Sequence, residues 1–507
     1  MTHQSINKLI LLSFLVTIAS LSLAQSALDG TVFTYPERII NGDTVLAEYE
    51  RGILFVPLNR SDPNSRTISV DFYRFKSLNP SRNVPPVFRL PGGPGFPSID
   101  LLLYYDSEFY QEDIKPFQEL ADVIILGQRG TTGELGTIGT SKPATNCVGV
   151  EGLSAKKATD EEVLRQQIRE ACQDCQDYWG EQLDLSGFSV VEAAGDVRDL
   201  TKALGYDQII LNGLSFGSHW SMAVMRYHPE IVARALLGGM EGPDHTYDMP
   251  SYVLNAIQRI AASAEGSPSL QGHLPDSGLV SAYYELIKQA KKQPIAAKVD
   301  HQGEERTVLL DHHYLQEYFY GYDESIKSRK SLATWPAELL RLINGDYQQA
   351  ARYRLEEGGT VEIPTASFFM LDCGSGISSQ RYEQYQNDTA RAVLGNAERL
   401  YEVGCEVWDA DLGEEFRKNF KTPIPTLLVH GNWDVSTPLE NAQELAPYFT
   451  NGKLVTVERG SHGALYEAIN ELPNFRKQVE KFITEGAYQD IPDTIELPPM
   501  AWESPVE

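Results

Sequence analysis

Three short apolar runs that each end at glycine constrain the fold of this chain more than any other feature. They are Val87 to Leu90 before Pro91 to Gly95, Val123 to Leu126 before Gly127, and Gln208 to Leu211 before Gly213. Uninterrupted apolar strands separated by helical segments are typical of a parallel sheet that is covered on both faces. We therefore predict an α/β fold built on a mostly parallel, doubly wound sheet, preceded by antiparallel strands between Thr44 and Phe75.

The third run leads into a G-x-S-x-G motif, Gly213 to Gly217, and a helical pattern then continues to Tyr227. Glycines on both sides of Ser215 permit the sharp turn that exposes a serine hydroxyl above a sheet. A serine is a weak nucleophile unless a base and an orienting carboxylate accompany it. The motif predicts that Ser215 is a nucleophile and that the later chain supplies both partners.

Two later strands carry residues that meet this need. Asp434 follows the apolar run Pro425 to Val429, and His462 follows the run Lys453 to Val457. The chain order serine, aspartate, histidine, with each residue after a strand, is that of the α/β-hydrolases. We predict that the three residues form a catalytic triad, although Asp434 considered alone would also suit a helix cap.

Acyl transfer also requires donors for the oxyanion that develops on the substrate. The backbone N–H of Phe216, directly after the nucleophile, is one predicted donor, and the glycine loop of residues 92–95 supplies the other. Two further histidines have structural interpretations. We expect His430 to orient the acid loop and His219 to face the packing side of its helix.

The pattern of alternating strands and helices stops after Ala233 to Leu237 and resumes only near residue 425. A helical insertion between sheet strands predicts a lid or cap. The predicted organisation is a signal peptide (1–24), a discontinuous core (25–242 and 365–486), a helical cap (243–364) and an acidic, proline-rich tail (487–507) that either wraps the surface or stays loose.

The N-terminal segment has the properties of an export signal. Lys8 precedes the apolar run Leu9 to Ala19, and a small-x-small sequence ends at Ala24. The run is shorter than the roughly 20 residues that span a bilayer, so we favour cleavage over a retained anchor. We predict a secreted or periplasmic protein without stable membrane insertion.

Charge and cysteine content exclude several other functions. The chain has 70 acidic and 43 basic residues, which gives a net charge of −27. A charge of this sign disfavours nucleic-acid binding. The five cysteines permit two disulfides in an oxidising compartment, and their spacing leaves the connectivity open. The C-x-x-C at Cys172 and Cys175 has no metal-spaced partners, so we predict neither a metal nor a cofactor.

Together these motifs resemble the exported, cap-bearing α/β-hydrolases of the tripeptidyl and prolyl aminopeptidase family, which are serine exopeptidases. The resemblance covers roughly residues 45–485. Its motifs are Gly92 to Gly95, Gln128 to Gly130, Asp196 to Gly205, Gly213 to Gly217, Trp335 to Asp346, Gly431 to Pro438 and Gly460 to Gly463.

The resemblance implies specific roles for individual residues. Ser215 is the nucleophile, Asp434 the orienting acid and His462 the base, with Gly93 and Phe216 as the oxyanion donors. It also implies disulfides that join Cys147 to Cys172 and Cys373 to Cys405, which would leave Cys175 free.

Our main hypothesis is a serine hydrolase that cleaves short peptides from a free N-terminus. An aminopeptidase must recognise an ammonium group, and a carboxylate facing the cleft would provide its counter-charge. The candidates are Glu241, Glu317, Asp323 and Glu324, although each would also suit a solvated surface. The alternatives are a carboxylesterase or lipase acting on small acyl esters and, more remotely, a non-catalytic binding protein on the same scaffold. The oligomeric state is not predicted.

Overall fold

The computed structural model describes residues 29–41, 43–97, 107–131, 145–151, 155–321, 327–356, 360–408 and 410–505. The predicted signal peptide lies outside the described residues. Within the described ranges, no helix is long and apolar enough to cross a membrane.

One large β-sheet forms the centre of the molecule. The described strands are β1 (Val32–Asn41), β2 (Thr44–Pro57), β3 (Thr67–Phe75), β4 (Val87–Leu90), β5 (Val123–Leu126), β6 (Val150–Glu151), β7 (Ile209–Leu214), β8 (Val232–Gly238), β9 (Ile295–His301), β10 (Glu304–Leu310), β11 (Thr360–Val361), β12 (Thr426–Gly431), β13 (Gly452–Glu458) and β14 (Thr494–Glu496). Ten of them form the sheet in the order β1-β2-β3-β5-β4-β7-β8-β12-β13-β14. The pairings among β1, β2, β3 and β5 are antiparallel, and all pairings from β5 to β14 are parallel. The predicted mostly parallel sheet with antiparallel leading strands is confirmed.

Helices fill the connections between the strands. The longer ones in the described chain are α1 (Glu161–Gly180), α2 (Val190–Ala203), α3 (Phe216–Tyr227), α4 (Pro250–Glu265), α5 (Leu279–Lys292), α6 (His312–Gly321), α7 (Trp335–Ile343), α8 (Gln348–Glu356), α9 (Ala366–Ser375), α10 (Ser379–Gln386), α11 (Arg399–Val407), α12 (Leu439–Leu445), α13 (Ala464–Glu471) and α14 (Pro473–Glu485). Short helical segments lie at Lys115–Gln118, Arg329–Leu332, Arg391–Leu394 and Glu414–Arg417.

Each face of the sheet is covered by its own hydrophobic core. In β5, Ile124 and Leu126 belong to one core, whereas Val123 and Ile125 belong to the other. The first core packs against α2 and α3, and the second against α13 and α14. This two-sided burial explains why the central strands are continuously apolar in sequence.

The insertion between β8 and β12 has a third core, which α4 to α8 share with the hairpin β9–β10. The helical pattern predicted for this insertion is present in α4 to α8. The hairpin is not predicted from the sequence. Its turn residues Gln302 and Gly303 both have positive φ, 57° and 81°, and glutamine is not among the residues that identify such a turn. We retain the proposal that residues 243–364 form a cap over the sheet.

The C-terminal tail wraps the surface over its described residues. The strand β14 pairs in parallel with β13 at the edge of the sheet. Leu497 is buried, and the ring of Trp502 lies 5.8 Å from that of Trp433. The composition of the tail had left open that it stays loose. That alternative is therefore wrong for residues 487–505.

The structure corrects one of the two expected disulfides. Cys373 pairs with Cys405 as expected, but Cys147 pairs with Cys175, and Cys172 is free and buried. Cys172 and Cys175 lie about one turn apart on α1, so the sequence does not distinguish them as partners. Their surroundings in the folded protein distinguish the two thiols, because Cys172 is fully buried beside Trp408.

We expect loss of the Cys373–Cys405 disulfide to lower the free energy of unfolding by about 2 to 5 kcal/mol. The bridge connects α9 to α11 across 32 residues and so restricts the unfolded chain. Equilibrium denaturation of the Cys373→Ser, Cys405→Ser double variant measures the effect. The comparison is with the unmodified protein, and a double variant of equal stability would contradict the expectation.

Candidate active site

The strand β7 ends in a sharp turn that carries Ser215. Its backbone has φ 59° and ψ −134°, a conformation that is strained for a residue with a side chain. A Cβ atom on Gly213 would lie 2.3 Å from the carbonyl oxygen of Gly217, and one on Gly217 would lie 1.9 Å from that of Leu90. Both positions therefore require glycine, as the G-x-S-x-G motif predicts.

Hydrogen bonds hold this strained turn in place. The hydroxyl of Ser218 donates to the carbonyl of Ser215 at 2.7 Å, and the backbone N–H of Ser215 donates to the carbonyl of Gly238 at 3.3 Å. The Ser218 hydroxyl also accepts the backbone N–H of Glu241 at 2.9 Å. One serine thus links the nucleophile turn to the residues that follow β8.

Asp434 and His462 follow β12 and β13, and their side chains are hydrogen-bonded. The His462 Nδ1 atom lies 3.0 Å from each carboxylate oxygen of Asp434. Asp434 is buried and also accepts the backbone N–H of Thr437 and the Thr437 hydroxyl, both at 2.9 Å. Burial raises the pKa of Asp434, but the nearby His462 and these hydrogen bonds outweigh it, so the pKa is lowered. Asp434 is therefore held as a carboxylate that orients the imidazole.

Ser215 and His462, the proposed nucleophile and base, approach the same point. A Cβ atom on Gly239 would lie 3.0 Å from the Ser215 nitrogen and 3.1 Å from His462 Cε1. Burial lowers the pKa of His462, but the charge and hydrogen bond of Asp434 reverse this, and the pKa lies above its ordinary value. The arrangement suits a base that accepts a proton from Ser215.

His430 supports the acid loop, in agreement with the sequence interpretation. Its Nε2 atom donates to the Thr437 carbonyl at 2.7 Å, and its Nδ1 atom accepts the backbone N–H of Met240 at 3.2 Å. Burial lowers the pKa of His430, which keeps the ring neutral for this pair of bonds.

The glycine loop after β4 lies against the nucleophile. A Cβ atom on Gly92 would lie 2.8 Å from Ser215 Cβ, and Gly93 has φ +63°. The buried Gln128 side chain accepts the Gly95 N–H at 2.7 Å, and its amide nitrogen lies 3.3 Å from the carbonyls of Pro91, Gly92 and Gly93. We keep Gly93 and Phe216 as proposed oxyanion donors, and Gln128 holds the loop in position.

The four acids predicted to bind an ammonium group have different outcomes. Glu241 lies beside the nucleophile turn through Ser218. Glu317 is wrong as a site residue, because its side chain is 52% exposed and pairs with Arg399 on the surface of the molecule. Asp323 and Glu324 lie outside the described residues.

Sequence reasoning missed three acids that the fold places near Glu241. Asp248, Asp372 and Glu398 come from separate segments and interact electrostatically with Glu241. We call these four residues the acid cluster. Burial raises the pKa of Asp372 to about 7 and, with the charge of Asp372, that of Glu398 to about 8. No local motif joins the four positions, so the sequence carries no signal that groups them.

The strand order and the placement of Ser215, Asp434 and His462 define an α/β-hydrolase. Residues 392–494 match a family model described as TAP-like protein. The resemblance to the tripeptidyl-aminopeptidase-like α/β-hydrolases is thereby confirmed.

Several solved structures show a distant likeness to this chain. A meta-cleavage product hydrolase from Pseudomonas fluorescens is 14% identical over 83% of this chain and 96% of its own, with a TM-score of 0.34. A thermophilic esterase from Thermogutta terrifontis is 14% identical over 84% and 98%, with a TM-score of 0.32. The epoxide hydrolase CorEH is 14% identical over 90% and 100%, with a TM-score of 0.35. No curated protein matches the sequence significantly.

We expect Ser215→Ala to retain its fold and to lose nearly all hydrolysis, since triad removal commonly costs about a million-fold in kcat. Covalent labelling by a fluorophosphonate should disappear in the same variant. The matched control is Ser436→Ala, a serine on the acid loop whose backbone N–H, not its hydroxyl, bonds Asp434. Retention of a tenth of the activity by Ser215→Ala would refute the nucleophile assignment.

The pH profile of kcat/KM should report His462. The base must be neutral to accept a proton, so activity falls as the pH drops through the pKa of His462. Because Asp434 raises that pKa, the acid limb should have its midpoint above the ordinary histidine value of 6.5. A midpoint below 6.5, in a pH range where circular dichroism shows the protein folded, would contradict the Asp434–His462 coupling.

Proposed function

We propose that this protein is an exported serine hydrolase that cleaves short peptides from a free N-terminus. The observation that carries the proposal is the acid cluster beside the nucleophile turn. An α/β-hydrolase with a serine triad can act on esters or amides, and what distinguishes an aminopeptidase is a counter-charge for the substrate ammonium. Glu241 is the member of this counter-charge that lies beside the Ser215 turn. The Ser218 hydroxyl accepts the backbone N–H of Glu241 and donates to the backbone carbonyl of Ser215.

The proposed reaction proceeds through an acyl-enzyme. His462 takes the proton of Ser215 as the hydroxyl oxygen attacks the scissile carbonyl, and the backbone N–H groups of Gly93 and Phe216 bind the oxyanion. The protonated His462 then gives its proton to the leaving amine. Water, activated by the same histidine, attacks the acyl-enzyme and releases the N-terminal product with Ser215 restored.

The electrostatics of the acid cluster suit a cationic substrate group. Burial, followed by the charges of Asp372 and Asp248, raises the pKa of Glu241 well above its ordinary range. Burial likewise raises the pKa of Asp248. Without a cation these carboxyl groups retain protons, since like charges in a desolvated site repel one another. A substrate ammonium replaces those protons and permits ionisation.

Two observations support export. The N-terminal segment has the charge and apolar pattern of a signal peptide. The described residues contain the disulfides Cys147–Cys175 and Cys373–Cys405, which persist in oxidising compartments.

We expect N-acetylation of a good peptide substrate to lower kcat/KM at least about five-fold, because it removes the charge and leaves a buried carboxylate unpaired. Glu241→Gln should lower kcat/KM for the free-amino peptide and change the acetylated peptide little. Matched assays of both peptides, with product detected by mass spectrometry, measure the two effects.

The control variant is Glu48→Gln, which makes the same chemical change at an exposed position on β2, in the antiparallel part of the sheet. It should leave the preference for the free-amino peptide unaltered. Equal kcat/KM for free and acetylated peptides, with faster turnover of an acyl ester that bears no amine, would replace the aminopeptidase assignment by the carboxylesterase alternative.

A further inference from the structure

Three residues of the described chain other than glycine have a left-handed backbone, namely Ser215 (φ 59°), Gln302 (φ 57°) and Arg459 (φ 64°). Ser215 is the proposed nucleophile, and Gln302 lies in the exposed turn between β9 and β10. Arg459 directly follows β13 and precedes His462 by three residues. A left-handed backbone is strained for a residue with a side chain, and such strain concentrates at functional sites. The strain at Arg459 thus lies in the loop that carries the proposed base, residues 459–463, which we call the base loop.

Hydrogen bonds from two other segments hold the backbone of Arg459. Its N–H donates to Asn432 Oδ1 at 2.8 Å, and Asn432 lies on the loop that carries Asp434. Its carbonyl accepts the Arg329 Nη1 atom, also at 2.8 Å, and Arg329 belongs to the insertion between β8 and β12. The peptide groups on both sides of Arg459 are therefore fixed by side chains from distant parts of the sequence.

The side chain of Arg459 is bound to the C-terminal tail. Its Nε atom donates to the carbonyl of Leu497 at 2.7 Å, and its Nη2 atom donates to Glu496 at 3.0 Å. Arg329 bonds the next tail carbonyl, because its Nη2 atom donates to Pro498 at 3.1 Å. The ion pair with the exposed Glu496 contributes little, whereas the bond to the carbonyl of the buried Leu497 is charge-assisted. The tail thereby anchors Arg459 through its main chain.

The base loop packs tightly against the loop that carries Asp434. A Cβ atom on Gly431 would lie 2.1 Å from the carbonyl oxygen of Gly460, so the two main chains are in direct contact. At the end of this contact, the His462 Nδ1 atom lies 3.0 Å from each carboxylate oxygen of Asp434. A negative φ at Arg459 would send residues 460–462 in another direction. The backbone of Arg459 therefore decides whether the imidazole meets its carboxylate.

We propose that Arg459 is a positioning residue for the base. Its left-handed backbone directs His462 toward Asp434 and Ser215, and its side chain, bound to the C-terminal tail, stabilises that backbone. Arg459 acts only through His462 and does not touch the substrate. The inference rests on the proposed triad, and it holds whether the enzyme cleaves a peptide or an ester.

Arg459→Ala and Arg459→Gly test the proposal, because both remove the bonds to the tail and only glycine adopts a positive φ without strain. In Arg459→Ala the unsupported residue should relax to negative φ and displace His462. We expect kcat of Arg459→Gly to exceed that of Arg459→Ala about ten-fold, with similar KM. Arg459→Asn should lie between them, since asparagine tolerates the left-handed conformation better than alanine does. Assays on a free-amino peptide and an acyl ester measure both constants.

The pH profile of kcat/KM gives a second measurement. Asp434 raises the pKa of His462, so the acid limb of Arg459→Ala should have its midpoint at lower pH than that of Arg459→Gly. Lys327 lowers and Glu467 raises the same pKa, but both are present in either variant. The difference in midpoint therefore reports the contact between His462 and Asp434. A purely structural role of the Arg459 side chain would impair both variants equally and leave the midpoints alike.

The matched control is the same pair of substitutions at Gln302, which has nearly the same φ in an exposed turn. Gln302→Ala and Gln302→Gly should have equal kcat, which shows that a left-handed residue matters for activity only in the base loop. Circular dichroism establishes which variants are folded. Should Arg459→Ala not fold, the order of Arg459→Gly above Arg459→Asn in kcat tests the proposal in the same way.

The outcomes separate this inference from the triad on which it rests. Equal kcat and equal midpoints for the alanine and glycine variants at position 459, or a less active glycine variant, would overturn the positioning role. Substantial activity in both Ser215→Ala and His462→Ala would instead refute the triad itself, whatever the order of the Arg459 variants.

Discussion

The active site depends on a buried ion pair between Arg129 and Asp196. The Arg129 guanidinium donates to both carboxylate oxygens, at 2.5 and 2.8 Å, and also to the carbonyls of Leu58 and Gly187. It thereby joins the end of β5 to β2 and α2. Such a pair is costly to desolvate, and it is stable here because each polar atom has a partner. Its neighbour in sequence, Gln128, uses this fixed position to hold the glycine loop of residues 92–95.

The parallel sheet brings the three proposed catalytic residues to one edge. Ser215, Asp434 and His462 follow β7, β12 and β13, whose carboxyl ends lie at one edge of the sheet. The segments then approach so closely that Gly92 and Gly217 have no room for a side chain. The strain at Ser215 persists because Ser218 and Gly238 bond the turn from both sides.

The acid cluster is an exception to the general rule that buried charges are paired. Four carboxyl groups in a desolvated space destabilise the folded protein when ionised, and burial raises the pKa of each of them accordingly. Such an arrangement is retained at functional sites, where a ligand supplies the missing charge. On this view substrate binding and proton release are coupled in the proposed peptidase.

Local features of the sequence were sufficient to predict the parallel sheet, the sharp turn at Ser215 and the pairing of Asp434 with His462. Each of these depends on residues that are adjacent in sequence or that follow successive strands. Other features could not be predicted. Cys172 and Cys175 are alike in sequence, and both are buried in the first core, but only Cys175 lies within bonding distance of Cys147. Glu241 and Glu317 are both acids that the sequence offers as ammonium ligands, yet Glu317 is exposed and Glu241 lies beside the Ser215 turn. Asp248, Asp372 and Glu398 converge only when the segment before α4, the helix α9 and the segment before α11 pack together. Desolvation and mutual charge are properties of packing and not of any short stretch of chain.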